Sequence, residues 1–174
     1  MWDLFICMIW YGRVYFRAVL NTNCYEYTNK LLASLSIKLG TPEHGWLAVD
    51  IISDDYKLKI DASDVPLDPL EQLCNVILNL NVDKKGEVWW HLEPASVFFE
   101  FKKFGQNYRL TIMTADRYES IRTTEKVLTG SFHDIIEPFI NSLRLFYSTA
   151  YDEKHWPAVD FKKINKLQRL TNDT

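Results

Sequence analysis

Alternation of apolar and polar positions dominates the first half of the chain. Leu31, Ala33, Leu35 and Ile37 alternate with more polar neighbours, as do Leu47, Val49 and Ile51, and then Tyr56, Leu58 and Ile60. Successive side chains of a strand point to opposite faces, so a period of two predicts half-buried strands, with Ser53-Asp54-Asp55 as a hairpin turn. The period then changes. Asp68 suits an N-cap, Pro69 the first helical position, and Glu71 stands three residues after the cap. Leu70, Leu73, Cys74, Ile77 and Leu78 follow at helical spacing, which lays one apolar stripe against a sheet. Strand signals resume over Glu87 to Leu92. Val97, Phe99 and Phe101 then alternate with Phe98, Glu100 and Lys102. Phe104-Gly105-Gln106-Asn107 turns the chain into Tyr108, Leu110 and Ile112, and a further strand is expected around Lys126 to Thr129. Ser131 caps a second helical run through Phe132, Ile135, Ile136, Phe139, Ile140, Leu143 and Phe146. Pro138 lies inside it, which predicts a kink or a short first segment.

Together these elements predict an α+β fold. A mainly antiparallel sheet is packed by two principal helices, at about 68–80 and 131–147, with a short basic helix closing the chain over 161–170. No linker-like stretch divides the sequence, so residues 1–174 are expected to form a single domain. Leu4 to Tyr11 is a short apolar run that Asp3 precedes and that Arg13 and Arg17 interrupt, which predicts a buried strand rather than a signal segment.

Composition adds two constraints. The chain has 174 residues, 47% hydrophobic and 14% aromatic, with a formal net charge of −3. That is enough to bury a continuous core, and the sign argues against bulk attraction to nucleic acid. The three cysteines, Cys7, Cys24 and Cys74, are far apart and form no C-x-x-C pair. Neither a disulfide scaffold nor a zinc site is expected, and a reducing cytoplasm is the simplest location.

Sequence motifs for catalysis, cofactor binding or metal binding are absent. The chain has no G-x-G-x-x-G, Walker-A loop, G-x-S-x-G elbow or H-E-x-x-H. His91 and Glu93 resemble an H-x-E half-site and would share a strand face, but the downstream P-C-x-x-C of zinc deaminases is missing. His44, His133, His155 or a cysteine would need to be brought together in space to make a nucleophile–base pair. No residue is therefore assigned a catalytic, cofactor-binding or metal-binding role.

The acidic segment is more informative. From Asp50 to Glu71 the chain carries seven carboxylates against Lys57 and Lys59. A solvated hairpin and loop would account for this, and so would a face that steers a basic partner. On the second reading Asp54, Asp55, Asp61 and Asp64 are the candidate contacts. Trp89-Trp90 would place two large rings on opposite strand faces. Packing against apolar surface on both faces is one outcome; an exposed ring acting as a binding anchor is the other.

A longer pattern joins these features. Asp68-Pro69-Leu70 opens a helix, and Trp90-His91-Leu92-Glu93-Pro94 follows. The aromatic hairpin Phe98-Phe99-Glu100-Phe101 and Tyr108-Arg109-Leu110 comes next, and Gly130-Ser131-Phe132 precedes a long helix. Tyr151-Asp152-Glu153-Lys154-His155-Trp156 comes after it. Over about residues 31–156 the chain resembles the small cytoplasmic immunity proteins encoded beside bacterial polymorphic toxins, including those of contact-dependent growth inhibition. The resemblance implies a protein that forms a stoichiometric complex with a cognate toxin domain and blocks it, with no direct contact to nucleic acid or membrane. Many such toxins are nucleases with basic clefts, and an RNase of the EndoU type is one candidate cognate. A small enzyme with a spatially assembled site and an adaptor or structural binding domain are the alternative expectations.

Overall fold

The computed structural model describes residues 34–116 and 121–172. The strand expected over Leu4 to Tyr11, and Leu31 and Ala33 of the first alternating run, lie outside them. Seven strands form one sheet in chain order: β1 (Ser36–Leu39), β2 (Trp46–Ser53), β3 (Tyr56–Ser63), β4 (Lys85–His91), β5 (Ser96–Phe104), β6 (Asn107–Ala115) and β7 (Arg122–Gly130). Every pairing is antiparallel. The α+β expectation and the hairpin turn at Asp54-Asp55 agree with this architecture.

The sheet is nearly split in the middle. β3 and β4 meet only through Ser63 and His91. Between them the chain makes α1 (Pro69–Asp83), which packs along β4. Its Gln72 side chain accepts a hydrogen bond from the Trp89 backbone N–H at 3.2 Å, standing in for a missing strand partner. Gly86 permits the close approach: a Cβ there would lie 2.7 Å from Cγ1 of Val76.

The start of α1 follows its sequence signals. Asp68 Oδ1 accepts from the Leu70 N–H at 2.8 Å, Pro69 occupies the first turn, and Lys84 ends the helix in the left-handed region at φ 61°. The second helical run breaks at Pro138, as the sequence predicts. It divides into α2 (Phe132–Ile135) and α3 (Glu137–Ser148), with Pro138 in the first turn of α3. Proline has no N–H to return to the carbonyl of Asp134, so the first segment stops short. Ser131 and Asp134 close a reciprocal capping box on α2, and the hydrogen bond from the Ser131 side chain holds the Asp134 carboxyl below its ordinary range. The closing helix is α4 (Phe161–Asn172), and it packs on α1 and α3 rather than on the sheet. The two expected helical regions thus pack on the sheet as α1 and as the α2–α3 pair, and the expected closing helix, α4, packs on them instead.

All the described helices lie on one face of the sheet. Phe139 of α3 meets Phe99 and Phe101, and Phe132 of α2 meets Tyr108. α2 packs on β6 and β7 while α3 packs on β1, so this segment bridges the two edges of the sheet. Val49, Ile51, Val88, Trp90, Phe99, Leu110 and Ile112 join the apolar faces of all four helices in one buried cluster. The opposite face has no described helix over it.

Candidate functional site

The structure separates the four candidate carboxylates. Asp54 and Asp55 form the exposed β2–β3 turn. Asp61 and Asp64 lie at the other end of β3, an eight-residue strand, or roughly 26 Å away at the usual rise. They do not make a single patch. Part of the acidic excess is also engaged internally. Asp50 stands in register between Lys38 and Lys59, with Oδ1 buried and lacking a hydrogen-bond partner among the described residues. Asp55 Oδ1 meets Lys126 Nζ at 2.6 Å, Asp68 is a helix cap, and Glu71 is paired with Lys163.

The two tryptophans diverge as strand alternation requires. Trp90 is 1% exposed and packs on Phe99 with ring centroids 5.3 Å apart. It belongs to the buried core, not to the exposed surface on which a contact residue was expected. Trp89 is half-buried on the open face, where its Nε1 donates to Ser96 Oγ at 2.8 Å. Its ring lies parallel to Phe98, with centroids 6.3 Å apart, and 5.2 Å from His91.

Strand register orders the open face into ranks. Lys85, Lys102 and Arg109 form one cross-strand row, and Glu87, Glu100 and Thr111 the next. Trp89, Phe98 and Met113 form an apolar row beside them. The last row runs across six strands, through Trp46, Ser63, His91, Ser96, Ala115 and Arg122. Arg122 places its guanidinium 3.6 Å from the Phe98 ring centroid and its Nη1 2.7 Å from Glu87 Oε2. Sequence reasoning missed both Arg122 and the role of Phe98. The only signal was the Phe98-Phe99 doublet, which supplies an aromatic ring to each face.

The end of the molecule at the β3–β4 junction is built from loops. His91 Nδ1 lies 2.9 Å from the Val65 carbonyl oxygen, and Ser63 Oγ accepts from the Val65 N–H at 3.2 Å. The loop so held leaves Val65 59% and Leu67 57% exposed, near the row that begins with Trp46 at 36%. The β1–β2 loop docks onto residues 151–156: the N–H of His44 donates to His155 Nδ1, and that of Gly45 to the His155 carbonyl, both at 2.9 Å. Trp156 is buried beneath. The Tyr151–Trp156 stretch thus ties loops together, and His44 and His155 serve that contact.

Chemical groups are otherwise dispersed. His91 Nδ1 is 4.0 Å from Glu93 Oε1, and no three metal-ligating groups gather among the described residues. Burial pushes the Cys74 thiol up to about 12, which keeps it protonated at neutral pH. Two open grooves of about 450 and 540 Å³ flank α3. No described helix is long and apolar enough to cross a membrane. No protein-family model, curated protein or solved structure matches this chain.

Proposed function

We propose that this chain is an immunity protein: it binds a cognate bacterial toxin domain in the cytoplasm and neutralises it in a stoichiometric complex. The observation that supports this most directly is the one-sided packing of the sheet among the described residues. All four described helices cover one face, and the other displays Trp89 beside Arg122 and Glu87. Partly exposed aromatics and arginines surrounded by polar groups are the side chains that protein interfaces use most. The acidic composition and the resemblance to toxin immunity proteins agree with a basic partner. A nuclease must hold a phosphate backbone, so its cleft presents Lys and Arg that carboxylates can occupy.

The experiment is co-expression with the C-terminal domain of the protein encoded immediately upstream, which this reading expects to be a large secreted toxin. The chain should restore growth, and the two purified proteins should form a 1:1 complex. Growth arrest that the chain leaves unrelieved, with no complex detected, would refute the reading.

A further inference from the structure

Building on that reading, we infer that the toxin domain docks at the β3–β4 junction end of the molecule and presents a lysine- and arginine-rich surface there. The β2–β3 turn is not the contact. Three segments converge on the junction: residues 40–48, 60–68 and 91–96. Together they contain no lysine or arginine. Residues 151–156, docked on the β1–β2 loop, add only Lys154, which is paired with Asp152. The convergence of the three segments is fixed by the Trp46–Ser63–His91 register, by the Asp64 N–H donating to the Gly45 carbonyl at 3.1 Å, and by His91 against Val65.

Two properties coincide at this end. Trp46 at the start of β2 and Val65 and Leu67 in the loop after β3 are exposed large apolar residues, at the end where Trp46 pairs with Ser63. Glu43, Asp61, Asp64 and Glu93 surround them, and none is paired with a lysine or arginine among the described residues. Apolar anchors within a ring of uncompensated like charge form a surface that repels another acidic face and attracts a cationic one. The turn has a different character. Asp55 is engaged by Lys126, and Lys57 follows two residues later, so the local field is close to balanced. The cationic Lys85–Lys102–Arg109 row lies at the far end of β4 from His91. The molecule is therefore electrostatically polar, and a basic partner should approach the junction end first.

The test compares three variants as complexes with the upstream-encoded toxin domain, after each has been shown to unfold within a few degrees of wild type. D61N/D64N/E93Q should slow association about tenfold at low salt, and the difference should shrink at high salt. V65S/L67S should leave association nearly unchanged and speed dissociation about tenfold. D54N/D55N should change neither rate more than twofold. Hydrogen exchange on the wild-type complex supplies a readout that needs no substitution: amides in 43–46 and 63–68 should gain protection, and those in 53–56 should not. A complex that forms with protection confined to the turn, to the grooves beside α3, or to the sheet face around Trp89 and Arg122 would overturn this location and leave the immunity function standing. Failure to form any complex would remove both.

Discussion

Two phenylalanines adjacent in sequence show how differently the two faces of this sheet are built. Phe99 points into the cluster shared by the sheet and all four helices, against Trp90 and Phe139. Phe98 points the other way and is almost as well covered, at 2% exposure, and among the described residues the Arg122 guanidinium and the Trp89 ring lie against it. Equal burial therefore rests on unequal neighbours. On the helix side the ring fills a space bounded by fixed backbone. On the other side the Arg122 and Trp89 side chains lie over it, and they can close in if it is removed.

The largest expected effect follows from that difference. Phe99→Ala should cost about 3–5 kcal/mol of unfolding free energy, because packed helices cannot collapse into the void. Phe98→Ala should cost roughly half as much, since Arg122 and Trp89 can settle onto the vacated surface. Urea unfolding at constant m-value would decide it, and equal losses would mean that the open face is as rigid as the core.

Next comes Gly86→Ala, which probes the helix side without removing anything. The added Cβ would sit 2.7 Å from Val76 Cγ1 and must push α1 away from β4. Overpacking of this kind costs about 1–3 kcal/mol. Thermal unfolding close to the wild-type midpoint would show that α1 moves away easily, and with it the rigidity assigned to this face.

Arg122→Ala should cost less, about 0.5–1 kcal/mol, the usual scale for an exposed cation above an aromatic ring. Arg122→Lys should recover only part of it, because a lysine lacks the planar group that covers the ring while meeting Glu87. Full recovery by lysine would reduce the contact to simple charge pairing.

The inner face was easier to foresee than the outer one, for a physical reason. Period-two and helical apolar spacing reports burial against a large core, and it located β2 to β7, α1 and the cap at Ser131. Pro138 announced the break between α2 and α3 because its effect on the backbone is local. Charge partners are not local. Glu71 meets a lysine 92 positions away, and Asp55 one 71 positions away. Counting carboxylates along the chain thus overstated the free acidity of the hairpin and treated its two ends as one site. Trp89 and Trp90 could be assigned to opposite faces, but which face the helices would cover depends on where Val76 and Phe139 pack.

The smallest predicted effect concerns the pair that crosses from one half of the sheet to the other. Lys126 is on the inner face of β7, opposite Ile112, and reaches Asp55 at the tip of the β2–β3 hairpin. Its side chain is 22% exposed and that of Asp55 is 60% exposed, so water and salt weaken the attraction. Pairs of this kind measure about 0.2–1 kcal/mol in double-mutant cycles. Asp55→Asn should therefore barely move the global unfolding midpoint. It should instead loosen the turn itself, since no helix covers that tip and Lys126 supplies a tether from the far edge. Amide exchange at residues 53–56 should quicken a few-fold in the variant, and salt should produce a similar change in the wild type by screening the same charges. A cycle with Lys126→Met would isolate the coupling. If exchange at the turn stays unchanged in both the variant and high salt, the hairpin is held by the packing of Ile51, Leu58 and Ile60 alone. The tether across the inner face would then contribute nothing to closing the sheet.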